Sequence, residues 1–146
     1  MCWRLKNRGY RIMYEPASVV YHLGGGTLPQ GNPRKTYLNF RNNLFLLYKN
    51  LPGDILFKTL FIRMFLDGLS SLRFLSKASF GDFFAVLRAH FSFYRSFARY
   101  KAFRKEEKKF ISRQTHREIY PGSIVKEYFW KKKYRFESLR WKYLNP

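Results

Sequence analysis

Of the three histidines, His22 is the one whose neighbours suggest chemistry: it ends a run rich in β-branched and aromatic residues and opens the loop Gly24-Gly25-Gly26-Thr27. A backbone of three glycines can approach a bound group closely because no side chain intervenes, and Thr27 could add a hydroxyl. The loop is neither a dinucleotide fingerprint nor a phosphate loop, since no Lys-Ser/Thr follows in register. No Ser-His-Asp or Cys-His set stands elsewhere. The few acids are dispersed, with Glu15 in a turn, Asp54 and Asp82 at helix starts and Glu106 and Glu107 in a basic helix, while His90 and His116 fall where a structural or solvated role suffices. A single cysteine, Cys2, excludes an internal disulfide and every multi-Cys metal site, and reads as a small buried apolar residue.

The elements that must position His22 come before it. Cys2, Trp3 and Leu5 make a short amphipathic helical end, which Gly9 closes because glycine takes the left-handed conformation that ends many helices. Residues 10–14 and 18–21 are rich in β-forming types and are split by Glu15-Pro16-Ala17, so two short strands joined by a turn are expected ahead of the glycine loop.

Cys2-Trp3-Arg4-Leu5, Gly9-Tyr10, Val19-Val20-Tyr21-His22 and Gly24-Gly25-Gly26-Thr27 stand in an order and spacing that resembles the end of the catalytic domain of family 2 glycosyltransferases, in particular bacterial rhamnosyltransferase-like members. There an acidic segment ending Asp-Leu-Cys-Trp-Arg leads into a helix, a Gly-Tyr turn, paired strands closing on Val-x-His and a Gly/Ser/Thr loop. Met1 falls where the family has Leu. The resemblance implies that the base carboxylate and the Asp-x-Asp nucleotide motif lie upstream of Met1, so that no catalytic residue is expected within this chain. It implies that His22 helps bind a divalent metal (Mg or Mn) and the diphosphate of a nucleotide-sugar donor. Trp3, Arg4, Gly24, Gly25, Gly26 and Thr27 then become candidate donor- or acceptor-binding residues, with Arg4 partnering a phosphate or the catalytic carboxylate. The acceptor is expected to be lipid-linked or a saccharide.

Beyond the loop the pattern turns helical. Asn32-Pro33 offers a cap and a first-turn proline, and Tyr37, Phe40, Leu44, Leu47 and Tyr48 recur at helical spacing until Leu51-Pro52-Gly53. Arg34, Lys35, Arg41 and Asn42 form a basic stripe on the other face, and the segment from Lys35 to Asn42 falls within the same resemblance. The next helix runs from Asp54 to about Leu75. A spanning helix needs about 20 nearly unbroken apolar residues, and Lys58, Arg63, Asp67 and Arg73 interrupt this one. Thr59, Arg63, Asp67 and Ser70 instead mark a narrow polar stripe beside a wide apolar face, which suits either a protein core or a headgroup boundary. A third helix is expected over residues 83–110, with many aromatics beside arginines, as at membrane interfaces. Residues 101–109 read as its solvated extension, and residues 123–133 as a short helix.

Lys and Arg number 29 against 9 Asp and Glu, and every third of the chain is net positive. So large a surplus implies a polyanionic partner, since neither fold nor catalysis demands it. An anionic membrane surface is the expected partner. The alternative is a basic aromatic RNA-binding helical module, which lacks support from any common recognition motif, so nucleic acid is not expected. The fold class is α+β: residues 1–32 are the end of a GT-A domain, and residues 33–146 a helical, basic extension lying peripherally at the cytoplasmic face of an inner membrane.

Overall fold

The computed structural model describes residues 2–21, 29, 31–113, 116, 119–120 and 122–139. Two compact units are present, Met1–Gln114 and Thr115–Pro146. The first holds α1 (Cys2–Asn7), α2 (Pro33–Asn50), α3 (Gly53–Ser76), α4 (Phe80–Arg95) and α5 (Phe97–Lys108); the second holds α6 (Ile124–Phe129) and a 3-10 turn, Phe136–Ser138.

No strand occurs among the described residues, which corrects the α+β expectation to an all-helical fold. The turn between the expected strands is present, with Ser18 N–H donating to the Glu15 carbonyl at 3.1 Å and Ala17 N–H to the Glu15 side chain at 3.0 Å. Its flanks do not pair. Tyr14, Val20 and Tyr21 are exposed, and two short strands with neither a third strand nor a helix to cover one face are at best marginal.

α1 ends as its glycine requires. Gly9 takes φ +88°, Tyr10 N–H reaches back to the Leu5 carbonyl at 3.1 Å, and Gly9 N–H to that of Lys6 at 3.0 Å. Contrary to expectation, Cys2 is exposed. Asn7 is the joint: its Nδ2 donates to the Asn50 carbonyl at 3.1 Å, and its own carbonyl accepts from Ser112 N–H at 2.9 Å.

α2 is the axis on which α1, α3, α4 and α5 all pack. Asn32 caps it, its Oδ1 accepting from Arg34 N–H at 2.9 Å, with Pro33 opening the first turn. Leu44, Phe45 and Tyr48 of α2 meet Leu60 of α3 and Phe93 of α4 in the core, and Ala85 and Ala89 allow α4 to approach closely. Phe45 lies between Phe93 and Tyr100, at 5.4 and 4.0 Å between ring centres.

The single helix expected over residues 83–110 is broken at Ser96 into α4 and α5. The break swings Tyr100 and Phe97 onto Phe45 and Tyr48. It also brings Arg104 under the end of α2, where the guanidinium donates to the Tyr48 carbonyl and, at 2.6 Å, to that of Leu51. Arg104 is therefore buried, which corrects the solvated extension expected over residues 101–109. A cation there satisfies carbonyls that the helix leaves unpaired and opposes the negative end of its dipole; burial holds its pKa below the ordinary arginine range.

In the second unit, Ser123 caps α6, its Oγ accepting from Lys126 N–H at 3.3 Å. This helix is shorter than the 123–133 expected.

Candidate functional site

α3 is inverted relative to an ordinary surface helix. Its polar stripe faces inward: Asp67 is 1% exposed, with Arg63 Nε 2.8 Å from Oδ1 and His90 Nε2 of α4 3.1 Å from Oδ2. The Arg63 guanidinium also lies over the Phe40 ring at 5.5 Å, which gives the charge an aromatic face as well as a carboxylate. Its large apolar residues face out, Phe57 being 82% exposed, Phe61 66% and Phe65 62%.

α4 carries an exposed apolar stripe of its own. Phe80, Phe84, Leu87, Phe91 and Tyr94 recur at steps of three and four, so they form one stripe, and all are exposed, while Ala85, Val86, Ala89 and Phe93 pack inward. The two helices are in contact, with the Tyr94 hydroxyl donating to Met64 Sδ at 3.4 Å. Burying a large apolar side chain is worth about 1.5–3 kcal/mol, so this many left in water is a sizeable unused driving force. Exposed apolar areas of this kind mark interaction surfaces. No helix among the described residues is long and apolar enough to cross a membrane.

Cations border the face. Arg34 and Arg41 of α2 and Arg88 of α4 line a concavity of about 510 Å³ together with Tyr37 and Phe84. The Tyr37 ring has Arg41 at 5.1 Å and Arg88 at 5.5 Å. Hydrogen bonds from Ser92, and then from Arg41 at 3.3 Å, hold its phenol below the usual tyrosine pKa.

Of the residues singled out in the sequence, Arg4 and Trp3 lie on α1, with Trp3 half-buried and its indole Nε1 buried without a hydrogen-bond partner. Arg4 joins Arg41, Asn42 and Lys49 of α2 and Tyr100 of α5 around a second concavity of about 340 Å³. Lys49 stands 4.8 Å from the Tyr100 ring centre and 5.6 Å from that of Phe103. Burial first, and then the charge of Arg4, keep the Lys49 pKa below the ordinary lysine value. Arg4's acidic neighbour is Glu107, at 4.0 Å, whose other oxygen lies 2.8 Å from Arg8. This pocket can receive an anion.

His22, Gly24, Gly25, Gly26 and Thr27 lie outside the described residues. Among the described residues no three His, Cys, Asp or Glu side chains gather to hold an ion.

Lys49, Arg88 and His90 escaped the sequence reading as site residues. Lys49 and Arg88 each sit on a helix face whose neighbours come from elsewhere in the chain, so no local spacing marked them. Asp67 and Arg63 were visible as an i, i+4 pair, but the pattern did not say which way the pair would point.

Compared with known proteins, the chain matches no family model, no curated protein and no solved structure.

Proposed function

We propose that the helical unit rests on an anionic membrane surface through the apolar face of α3 and α4, and serves there as the membrane-associated part of a glycosyltransferase that takes a nucleotide-sugar donor and a lipid-linked or saccharide acceptor. The observation that carries the membrane reading is the inversion of α3: a carboxylate 1% exposed beside phenylalanines 62–82% exposed. Such a face is stable where the surroundings are apolar on one side and wet on the other, and a net charge of +20 supplies the attraction to anionic headgroups.

The transferase reading rests on the Cys2-Trp3-Arg4-Leu5 to Gly24-Gly25-Gly26-Thr27 resemblance and is compatible with the anion-receiving pocket at Arg4 and Lys49. Buried Asp67 is engaged with Arg63 and His90, and half-buried Glu107 with Arg8, so neither is free to act as the base carboxylate. The 146-residue chain by itself is therefore expected to leave nucleotide sugars intact in magnesium or manganese. Turnover that is lost on His22→Ala would overturn this.

Vesicle flotation tests the membrane part. The chain should float with vesicles containing phosphatidylglycerol and stay behind with pure phosphatidylcholine, and added salt should weaken binding because screening shortens the field to roughly 10 Å or less. Phe61→Ser/Phe65→Ser/Phe91→Ser should lower partitioning by at least about tenfold, the equivalent of roughly 1.4 kcal/mol of lost burial, without lowering the melting temperature. Tight single-stranded RNA binding with no vesicle binding would sink the reading in favour of the RNA module.

A further inference from the structure

We propose that Arg34, Arg41 and Arg88 form a recognition site for the phosphate headgroup of a membrane lipid, with a phosphomonoester preferred. The proposal rests on the membrane reading and gives the apolar face a chemical specificity that mere charge attraction lacks.

Arg34, Arg41 and Arg88 line one concavity of about 510 Å³, the guanidiniums of Arg41 and Arg88 both lying over its Tyr37 ring, and no carboxylate lines it. Of the carboxylates nearby in sequence, Asp82 accepts from Thr36 Oγ1 at 2.6 Å, so its charge is directed to a neighbouring hydroxyl. No ion pair to an acid is formed by Arg34, Arg41 or Arg88 among the described residues. Arg41 is held in place by bonds to Asn42 Oδ1 at 3.0 and 3.2 Å and to the Tyr37 hydroxyl at 3.3 Å, and its guanidinium, with that of Arg88, lies over the Tyr37 ring. Arg41 thus spends one edge on its neighbours and lends the site chiefly its charge, whereas Arg88, stacked on the ring, keeps N–H edges for a ligand, and Arg matches phosphate oxygens with two parallel N–H donors. Pro33 and Gly81, in the first turns of α2 and α4, also line the space, so both helix dipoles add to a field favouring an anion.

The location selects a lipid over a free phosphate. Phe84 lines the same concavity and belongs to the exposed stripe Phe80, Phe84, Leu87 and Phe91 of α4. A headgroup seated among the arginines would leave its acyl chains beside that stripe. A monoester presents more charge and one more free oxygen than a diester, which suits three donors better than two.

Flotation of the whole chain on vesicles carrying phosphatidic acid or phosphatidylglycerol at matched surface charge tests this. Phosphatidic acid should be preferred by about tenfold, the equivalent of one charge-assisted hydrogen bond. Arg34→Gln/Arg88→Gln should abolish the preference while leaving binding to phosphatidylglycerol. Lys101→Gln/Lys105→Gln, two exposed charges of α5, should weaken both equally. Both pairs alter exposed side chains, and equal melting temperatures establish that the variants are folded. The proposal is overturned by equal binding of the two lipids or by a preference that survives the Arg34/Arg88 change. Arg88-dependent binding of soluble glycerol 3-phosphate as tight as that of the lipid would also defeat it, by making the site one for free anions. Absence of binding to either vesicle would overturn the membrane reading as well, whereas binding without preference would defeat this proposal alone.

Discussion

His90 of α4 reaches across to Asp67 of α3, Nε2 lying 3.1 Å from Oδ2, and with Arg63 it surrounds a carboxylate that is 1% exposed. That contact orients α3. Turning the helix to put its phenylalanines inside would break both contacts of Asp67, and the fold keeps the charged stripe in and the aromatic stripe out.

Asp67→Ala should therefore destabilise the first unit by about 3 kcal/mol, because it leaves a partly buried guanidinium without its carboxylate. The triple change Arg63→Met/Asp67→Leu/His90→Leu should recover to within about 1 kcal/mol of the parent, since an apolar replacement removes both the charges and their desolvation cost. Urea denaturation measures both. A loss below about 0.5 kcal/mol for the single change would mean that the network does not hold α3 to α4.

Ala78, between α3 and α4, takes φ +55°, while Ser79 N–H bonds the Phe74 carbonyl at 2.9 Å and Ala78 N–H that of Leu75 at 3.0 Å. This is the bonding pattern that Gly9 closes without strain at the end of α1. The left-handed conformation costs a residue with a Cβ about 1–2 kcal/mol, so Ala78→Gly should stabilise by about 1 kcal/mol after the added unfolded-state entropy of glycine. A melting temperature that stays level or falls would show that the turn is not strained.

In the second unit, Glu127 has Lys131 Nζ at 2.7 Å and Lys133 Nζ at 2.8 Å. Hydrogen bonds from Lys131 and then Lys133 lower its pKa from the ordinary 4.5 to about 2. The folded value lies below the unfolded one, so the pairs contribute fully above about pH 4.5 and are lost as pH falls toward 2. The side-chain carboxyl carbon of Glu127, followed by NMR, should titrate near the lower value, and Lys131→Gln/Lys133→Gln should return it toward the higher. Titration of the parent near 4.5 would remove these pairs from solution.

Local signals were enough for the ends of α1 and α2, though not for the break at Ser96 or the end of α6. Gly9, Asn32-Pro33 and Leu51-Pro52-Gly53 act through their own backbone and nearest neighbours, and the structure has each where those neighbours require it. The strands over 10–14 and 18–21 misled for the opposite reason: a β-forming composition describes a side chain that fits a half-buried pleated surface, and no such surface meets these residues.

Composition, by itself, determined that the chain is strongly basic and rich in aromatics, because those are sums over residues. The order of residues determined that α3 is amphipathic, because periodicity is a property of one helix. Which face of α3 would be hidden was decided only by the tertiary structure. A stripe carries no direction until a second helix offers it partners, and here His90 and Phe40 lie 23 and 27 residues from Asp67. Likewise the meeting of Arg34 and Arg41 with Arg88 follows from α4 packing on α2, a contact between segments too far apart in sequence for any local spacing to announce.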